Sequence, residues 1–200
     1  VNAACACKGG HEVIAVDVKK SKVDLINKGI PTIVEDQIDD LVKEAVKLDL
    51  LSATTNEIDA VRETDLSLIC VGTPNRSDGQ LDLKHIFTCA RNIGYALKAK
   101  NTYHTVVIRS TVSPGTNLQV GEIISEASGK LRGKNFDIIS NPEFLREGSA
   151  VKDYFNPPVT ILGANQGSKS IHSMKELYGS FPSEIAVVEI SVAEMIKYCL

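Results

Sequence analysis

Short apolar runs rich in β-branched residues alternate along this chain with segments of helical periodicity, and that alternation leaves few folds open. The runs lie at residues 12–18, 66–72, 105–110, 136–140, 159–163 and 185–190, with a shorter one at 51–55. Their hydrophobicity is continuous rather than alternating, which predicts strands buried on both faces. Between them, residues 21–28, 36–48, 57–63, 83–99, 116–127, 170–178 and a stretch from Gly148 predict helices. In 36–48, Ile38, Leu41, Val42, Ala45, Val46 and Leu48 gather on one side. Residues 1–8 predict a helix of small residues stopped by Gly9-Gly10, and 192–200 begins a helix that has no cap. Strands alternating with helices predict an α/β fold, a doubly wound and mostly parallel sheet with helices on both faces.

Composition narrows the function. The 200 residues are 43% hydrophobic and 24% charged, which suits one globular domain or one domain and the start of another. A net charge of -3 and scattered basic residues exclude a nucleic-acid binder. No apolar run approaches the roughly 20 residues that span a bilayer. The five cysteines are odd in number, lack a CxxC pair and sit in apolar contexts, so they are expected to be buried, reduced thiols of a cytoplasmic protein. Cys5 and Cys7 have a spacing seen in metal pairs, but small apolar fillers on a helix look the same. His11, His85, His104 and His172 show no ligand spacing, and no metal is expected.

In an open parallel sheet, ligands bind beyond the carboxyl ends of the strands. Asp17 closes the first run, where a carboxylate can accept both hydroxyls of an adenosine ribose or simply form a turn. After the run at 66–72 come Thr73 and Pro74; Gly72 permits close approach of a ligand and the Thr73 hydroxyl can bond to it, though a plain turn uses the same residues. Ser110 and Thr111 precede Pro114-Gly115 at a helix start, a place for free amides that bind an anion or water, or for a hydroxyl cap. Glu143 and Glu147 would share a face if their segment were helical. A Pro142-led loop would instead lay backbone along a substrate, leaving one acid to accept a proton.

Several segments together resemble the nucleotide-sugar dehydrogenases, the family of UDP-glucose and GDP-mannose 6-dehydrogenases. They are Gly10 to Asp17, Ile33-Val34-Glu35, Cys70-Val71-Gly72-Thr73-Pro74, Asp78 to Asp82, Val107 to Val112, Pro114-Gly115-Thr116, Asn141-Pro142-Glu143-Phe144-Leu145-Arg146-Glu147 and Ala193 to Tyr198. The resemblance implies a Rossmann-like domain over residues 1–190 and, at 191–200, the start of a linking helix through which the full-length enzyme forms a homodimer. It implies NAD as cofactor, met by Asp17, Val71, Gly72, Thr73, Pro74, Ser110, Thr111 and Glu147. Glu143, Phe144, Leu145, Arg146 and Lys197 would hold the nucleotide sugar. Thr111, Glu143 and Lys197 would be catalytic: Thr111 lining a water, Glu143 as base, and Lys197 opposing oxyanion charge. Oxidation of the sugar C6 alcohol to an acid would pass through a thioester on a cysteine beyond Lys197. Cys199 is not that residue, because a helix turns about 100° per residue and separates it from Lys197.

The resemblance also has gaps. The family's first strand and glycine-rich turn are expected before Val1, so the chain reads as cut short at both ends, and on its own it is expected to bind NAD poorly and turn over nothing. Asp36 stands where the family has a proline. Arg109 to Val112, Pro114 to Thr116 and Glu194 to Tyr198 look closer to the GDP-mannose branch. UDP-glucose and N-acetylated UDP-hexosamines remain alternatives, as do a non-catalytic nucleotide-binding module and a β-hydroxyacid dehydrogenase.

Overall fold

The structure is a computed structural model that describes residues 1–179 and 184–198. In chain order its elements are α1 (Asn2–Lys8), β1 (Val13–Val16), α2 (Lys20–Ile26), α3 (Ile38–Lys47), β2 (Leu51–Thr54), α4 (Glu57–Glu63), β3 (Leu66–Ile69), α5 (Lys84–Lys98), β4 (His104–Ile108), α6 (Thr116–Ser128), β5 (Phe136–Ser140), α7 (Ala150–Phe155), β6 (Thr160–Gly163), α8 (Lys169–Tyr178), β7 (Ile185–Val188) and α9 (Ile190–Ile196). They fall into two compact units. The first comprises Val1–Ala60, Phe144–Pro158 and Glu176–Ser183, and the second Val61–Glu143, Val159–Lys175 and Glu184–Leu200.

In the first unit β1 and β2 pair in parallel, Val13 opposite Leu51 and Val16 opposite Thr54. Helix α1 buries Ala4, Cys5, Ala6 and Cys7, small side chains that let its backbone lie close to its neighbours. Helix α3 buries Ile38, Leu41, Val42 and Ala45 along one stripe.

The second unit is built on the sheet β3-β4-β5-β6-β7. All its pairings are parallel except that of β5 with β6, which meet antiparallel at Ser140 and Gly163. Val106, Val107, Ile108, Phe136, Ile138 and Ile139 on β4 and β5 are almost completely buried. Each such side chain contributes roughly 1.5–3 kcal/mol relative to an exposed one. Helices α5 and α6 cross closely at Gly94, where an added Cβ would stand 2.6 Å from the Ala127 Cβ.

The architecture is the expected mostly parallel α/β fold, with corrections in detail. Strands β1 and β3 are half-exposed along most of their length, not buried on both faces. Among the described residues each pairs along one edge only, so part of its surface meets solvent. Of the cysteines, Cys5 and Cys7 are buried as expected, but Cys70 is exposed and Cys89 half-buried. Cys70 is exposed because β3 ends at Ile69, before the apolar run does. The last helix starts at Ile190, earlier than its periodicity suggested, and Lys197 is its C-cap. Cys199 and the expected continuation of that helix to Leu200 lie outside the described residues. No helix among the described residues is long and apolar enough to cross a membrane.

Candidate active site

The second unit's site begins at the carboxyl ends of β4 and β5. Arg109, the residue after β4, is 6% exposed. Its guanidinium donates to Asn141 Oδ1 at 2.7 Å, and its Nε lies 3.5 Å from Glu143 Oε2. Asn141 in turn donates from Nδ2 to the Ile161 carbonyl at 2.9 Å. The chain leaving β5 is therefore held by these side chains as well as by the Asn141 amide, which donates to the Ile108 carbonyl at 2.9 Å. Asn141 to Arg146 adopt no regular structure, so Glu143 and Glu147 do not share a helical face. The Glu143 side chain remains 39% exposed.

Helix α9 brings the next component. The Lys197 ammonium donates a hydrogen bond to the main-chain carbonyl of Glu143. Lys197, Thr111, Arg109, Ser110, Pro142 and Glu194 line a shallow open depression. Thr111 and Lys197, far apart in sequence, thus share one depression, and Lys197 is bonded to the main chain of Glu143. The helix reaches the sheet at Gly163, where a Cβ would come within 2.5 Å of the Ala193 Cβ and 3.0 Å of the Ser140 Cβ. Only a residue without a side chain permits that approach.

The loop after β4 is tied to the loop after β3. Thr73 Oγ1 donates to the Thr111 carbonyl at 2.8 Å, and Ser110 Oγ to the Val71 carbonyl at 2.7 Å. Gly72 has nothing within 4 Å of where a Cβ would stand, leaving the backbone between Val71 and Thr73 open to a ligand. Gly115, with φ +90, turns the chain into α6. The amides of Gly115, Thr116 and Asn117 at that helix start are already engaged, that of Thr116 by the Ser113 carbonyl. Glu194 Oε2 accepts from the Gly115 amide at 2.7 Å, and Oε1 accepts from the Asn117 amide at 2.8 Å and from its Nδ2 at 2.7 Å. No side-chain hydroxyl caps α6; a carboxylate from another helix does.

In the first unit, Asp17 follows β1 and forms a turn, its Oδ1 accepting from the Lys19 amide at 2.8 Å, with Lys22 Nζ 3.5 Å from Oδ2. The carboxylate is 37% exposed, which leaves acceptor capacity toward solvent. Phe144 and Leu145 are half-buried, and Arg146 and Glu147 exposed. The Arg146 guanidinium forms a fork with Asp153, at 3.0 Å to Oδ2 and 2.7 Å to Oδ1. That hydrogen bonding, joined by the Arg146 amide, holds the Asp153 carboxyl well below the usual carboxylate range. The arginine head is thereby engaged within its own loop. Glu35 accepts from the amides of Gly148 and Ala150 at 3.0 and 3.1 Å, so a carboxylate pins the far end of this loop as well.

Some of the positions expected to meet NAD keep accessible polar groups within their own unit. Asp17 has an accessible carboxylate suited to ribose hydroxyls, and Val71 to Pro74 present open backbone and a hydroxyl. Arg109, Glu194 and Glu35 had not been singled out from the sequence. Arg109 directly follows a strand and was discoverable on that ground; no local signal pointed to Glu194.

Comparison with known proteins agrees with this geometry. Residues 1–182 match the model of the UDP-glucose/GDP-mannose dehydrogenase family, NAD binding domain. The chain is 44% identical to GDP-mannose 6-dehydrogenase of Pseudomonas syringae pv. tomato over 99% of its own length and 45% of the relative's. It is 39% identical to a UDP-glucose 6-dehydrogenase of Haloferax volcanii, over 98% of this chain and 46% of that one. A ternary complex of GDP-mannose dehydrogenase from Pseudomonas aeruginosa superposes with a TM-score of 0.95 at 44% identity, covering 98% of this chain and 45% of that one. The chain spans about half the length of the curated relatives it matches.

Proposed function

The chain belongs to the UDP-glucose/GDP-mannose dehydrogenase family, and we propose that it is the NAD-binding part of an enzyme that oxidises the C6 alcohol of a nucleotide sugar, GDP-mannose being favoured, to the uronic acid. The placing of Thr111 and Lys197 in one depression, with Lys197 bonded to the main chain of Glu143, carries this reading. In the first stage the alcohol loses a hydride and a proton and becomes an aldehyde. In the second, water supplies an oxygen, a further hydride and proton leave, and the carboxylic acid results. NAD, when bound, is the hydride acceptor in both.

The chain's own residues divide the remaining work. Lys197 places a fixed positive charge where the sugar oxygen becomes anionic, in a partly buried setting where that charge counts for more than in water. One of its three donors is used on the Glu143 carbonyl, which aims the ammonium. The Glu143 carboxylate is accessible enough to take the alcohol proton or orient water, with the Arg109 guanidinium beside it. Thr111 holds its place through the Thr73 hydroxyl and lines the same depression. Asp17 and Val71 to Pro74, with Ser110 and Glu147, are assigned to the cofactor. Phe144, Leu145 and Arg146 are assigned to the nucleotide sugar, through backbone, since the Arg146 head is engaged by Asp153.

The further assignments are of the same kind. Residues 1–190 form the cofactor domain, 191–200 open a helix that pairs subunits in a cytoplasmic homodimer, and the thioester stage belongs to a cysteine outside these 200 residues. UDP-glucose is the alternative substrate, favoured by the relative at 39% identity. The test is NADH formation by the full-length enzyme with GDP-mannose, UDP-glucose, an N-acetylated UDP-hexosamine and a 3-hydroxy acid. Turnover of GDP-mannose to its uronate is expected. Turnover of the hydroxy acid alone, or none with NAD bound, would overturn the assignment in favour of a β-hydroxyacid dehydrogenase or a non-catalytic module.

A further inference from the structure

We propose that Glu194 is a positioning residue that locks the helix bearing Lys197 to the loop bearing Thr111; this rests on the function proposed above. Its side chain is 3% exposed, yet it is acidic, and its oxygens accept three hydrogen bonds, from the Gly115 amide, the Asn117 amide and Asn117 Nδ2. These donors stand at the start of the thirteen-residue α6, whose dipole favours a negative charge there. The partners lie 77 and 79 residues away in sequence, so the contact joins two elements that nothing local brings together.

Where α9 sits on this unit sets where Lys197 stands. Two points fix it to the unit: Ala193 packed on Gly163, and Glu194 bonded to the α6 start. Lys197 follows Glu194 by three residues, which is under one helical turn and about 4.5 Å of rise. A shift of the Glu194 carboxylate is therefore passed almost undiminished to the Lys197 ammonium. The Gly115 end of the same contact lies four residues after Thr111, so Glu194 sets the spacing between both catalytic candidates.

The experiment uses the full-length enzyme with GDP-mannose and NAD, assayed well below each variant's melting temperature. Glu194→Gln keeps the shape but sets an NH2 against the amide donors. Its kcat is expected to fall by roughly 30-fold while KM for sugar and cofactor stays within about threefold. Asn117→Ala removes one donor, leaves both amide bonds, and is expected to lower kcat by about fivefold. The discriminating readout is the pair of substitutions: in a Lys197→Ala background, Glu194→Gln is expected to cost less than about threefold, because the effect acts through the missing ammonium. A merely structural cap would lower the melting temperature equally in both backgrounds and leave kcat nearly unchanged. Single variants with kcat within about twofold of the parent, or full additivity with Lys197→Ala, overturn the inference alone. A parent that oxidises no nucleotide sugar overturns the proposed function and this inference with it.

Discussion

Lys197 donates from its ammonium to the main-chain carbonyl of Glu143. That bond aims the lysine through backbone, while the Glu143 carboxylate lies beside the Arg109 guanidinium. If Lys197 opposes oxyanion charge, Lys197→Ala in the full-length enzyme should lower kcat by about 10²–10³-fold with little change in KM for NAD. Lys197→Arg should not restore it, since a planar fork cannot reproduce a compact point charge. Steady-state kinetics with GDP-mannose check both.

Arg109 is a buried cation whose partners are Asn141 and Glu143. Arg109→Met keeps much of the stem's packing but removes the guanidinium bond to Asn141 Oδ1. Unfolding in urea should report a loss of about 2 kcal/mol, the range for a hydrogen bond to a charged group. An unchanged midpoint would mean that the Asn141 to Glu143 segment is held by something else.

Gly163 permits the contact between α9 and the sheet, so Gly163→Ala forces Ala193 and Ser140 apart. Overpacking of this kind costs about 1–3 kcal/mol. In the full-length enzyme, activity should fall beyond what stability accounts for, because Lys197 moves with its helix. Melting curves and kcat measured on the same samples separate the two effects.

His104 is fully buried on β4, with Nε2 2.8 Å from Ser67 Oγ. Burial first, and the nearby Lys100 charge second, push its imidazole down to about 3. In the unfolded chain the same group titrates near 6.5. Below that value the unfolded state takes a proton that the native state refuses, so stability falls as pH drops from 6.5 toward 3. By pH 5 this one group should remove about 2 kcal/mol. Urea unfolding at pH 7 and pH 5 should show a smaller difference in His104→Gln than in the parent chain. Equal differences would refute the assignment.

Several elements were legible before any coordinates. The run at 136–140 became β5 with those bounds: Phe136, Ile138 and Ile139 are large and apolar and need cover, and the buried Asp137 finds Arg132 and Ser168 as partners. The run at 66–72 was read too long: hydrophobicity continues through Cys70 and Val71, but those residues leave the ladder for the loop in which Thr73 meets Thr111. Among site residues, Thr111, Glu143 and Lys197 were nominated by strand-end position and by resemblance. Arg109 was passed over as part of a motif. Two of the amides expected to be free at the start of α6 are taken by Glu194, whose own neighbourhood reads as an ordinary amphipathic helix.

By itself the sequence determined the kinds and order of the elements, their mostly parallel pairing and the family, since these follow from periodicity and from motifs a few residues long. The tertiary structure alone decided that Glu194 caps α6, that Arg109 holds Glu143, and that Gly163 seats the Lys197 helix. Each of those contacts joins residues that are distant along the chain or depends on the direction of a side chain. Local periodicity carries no information about such pairs, because their energies arise only once the packed chain has excluded water and brought the partners within bonding distance.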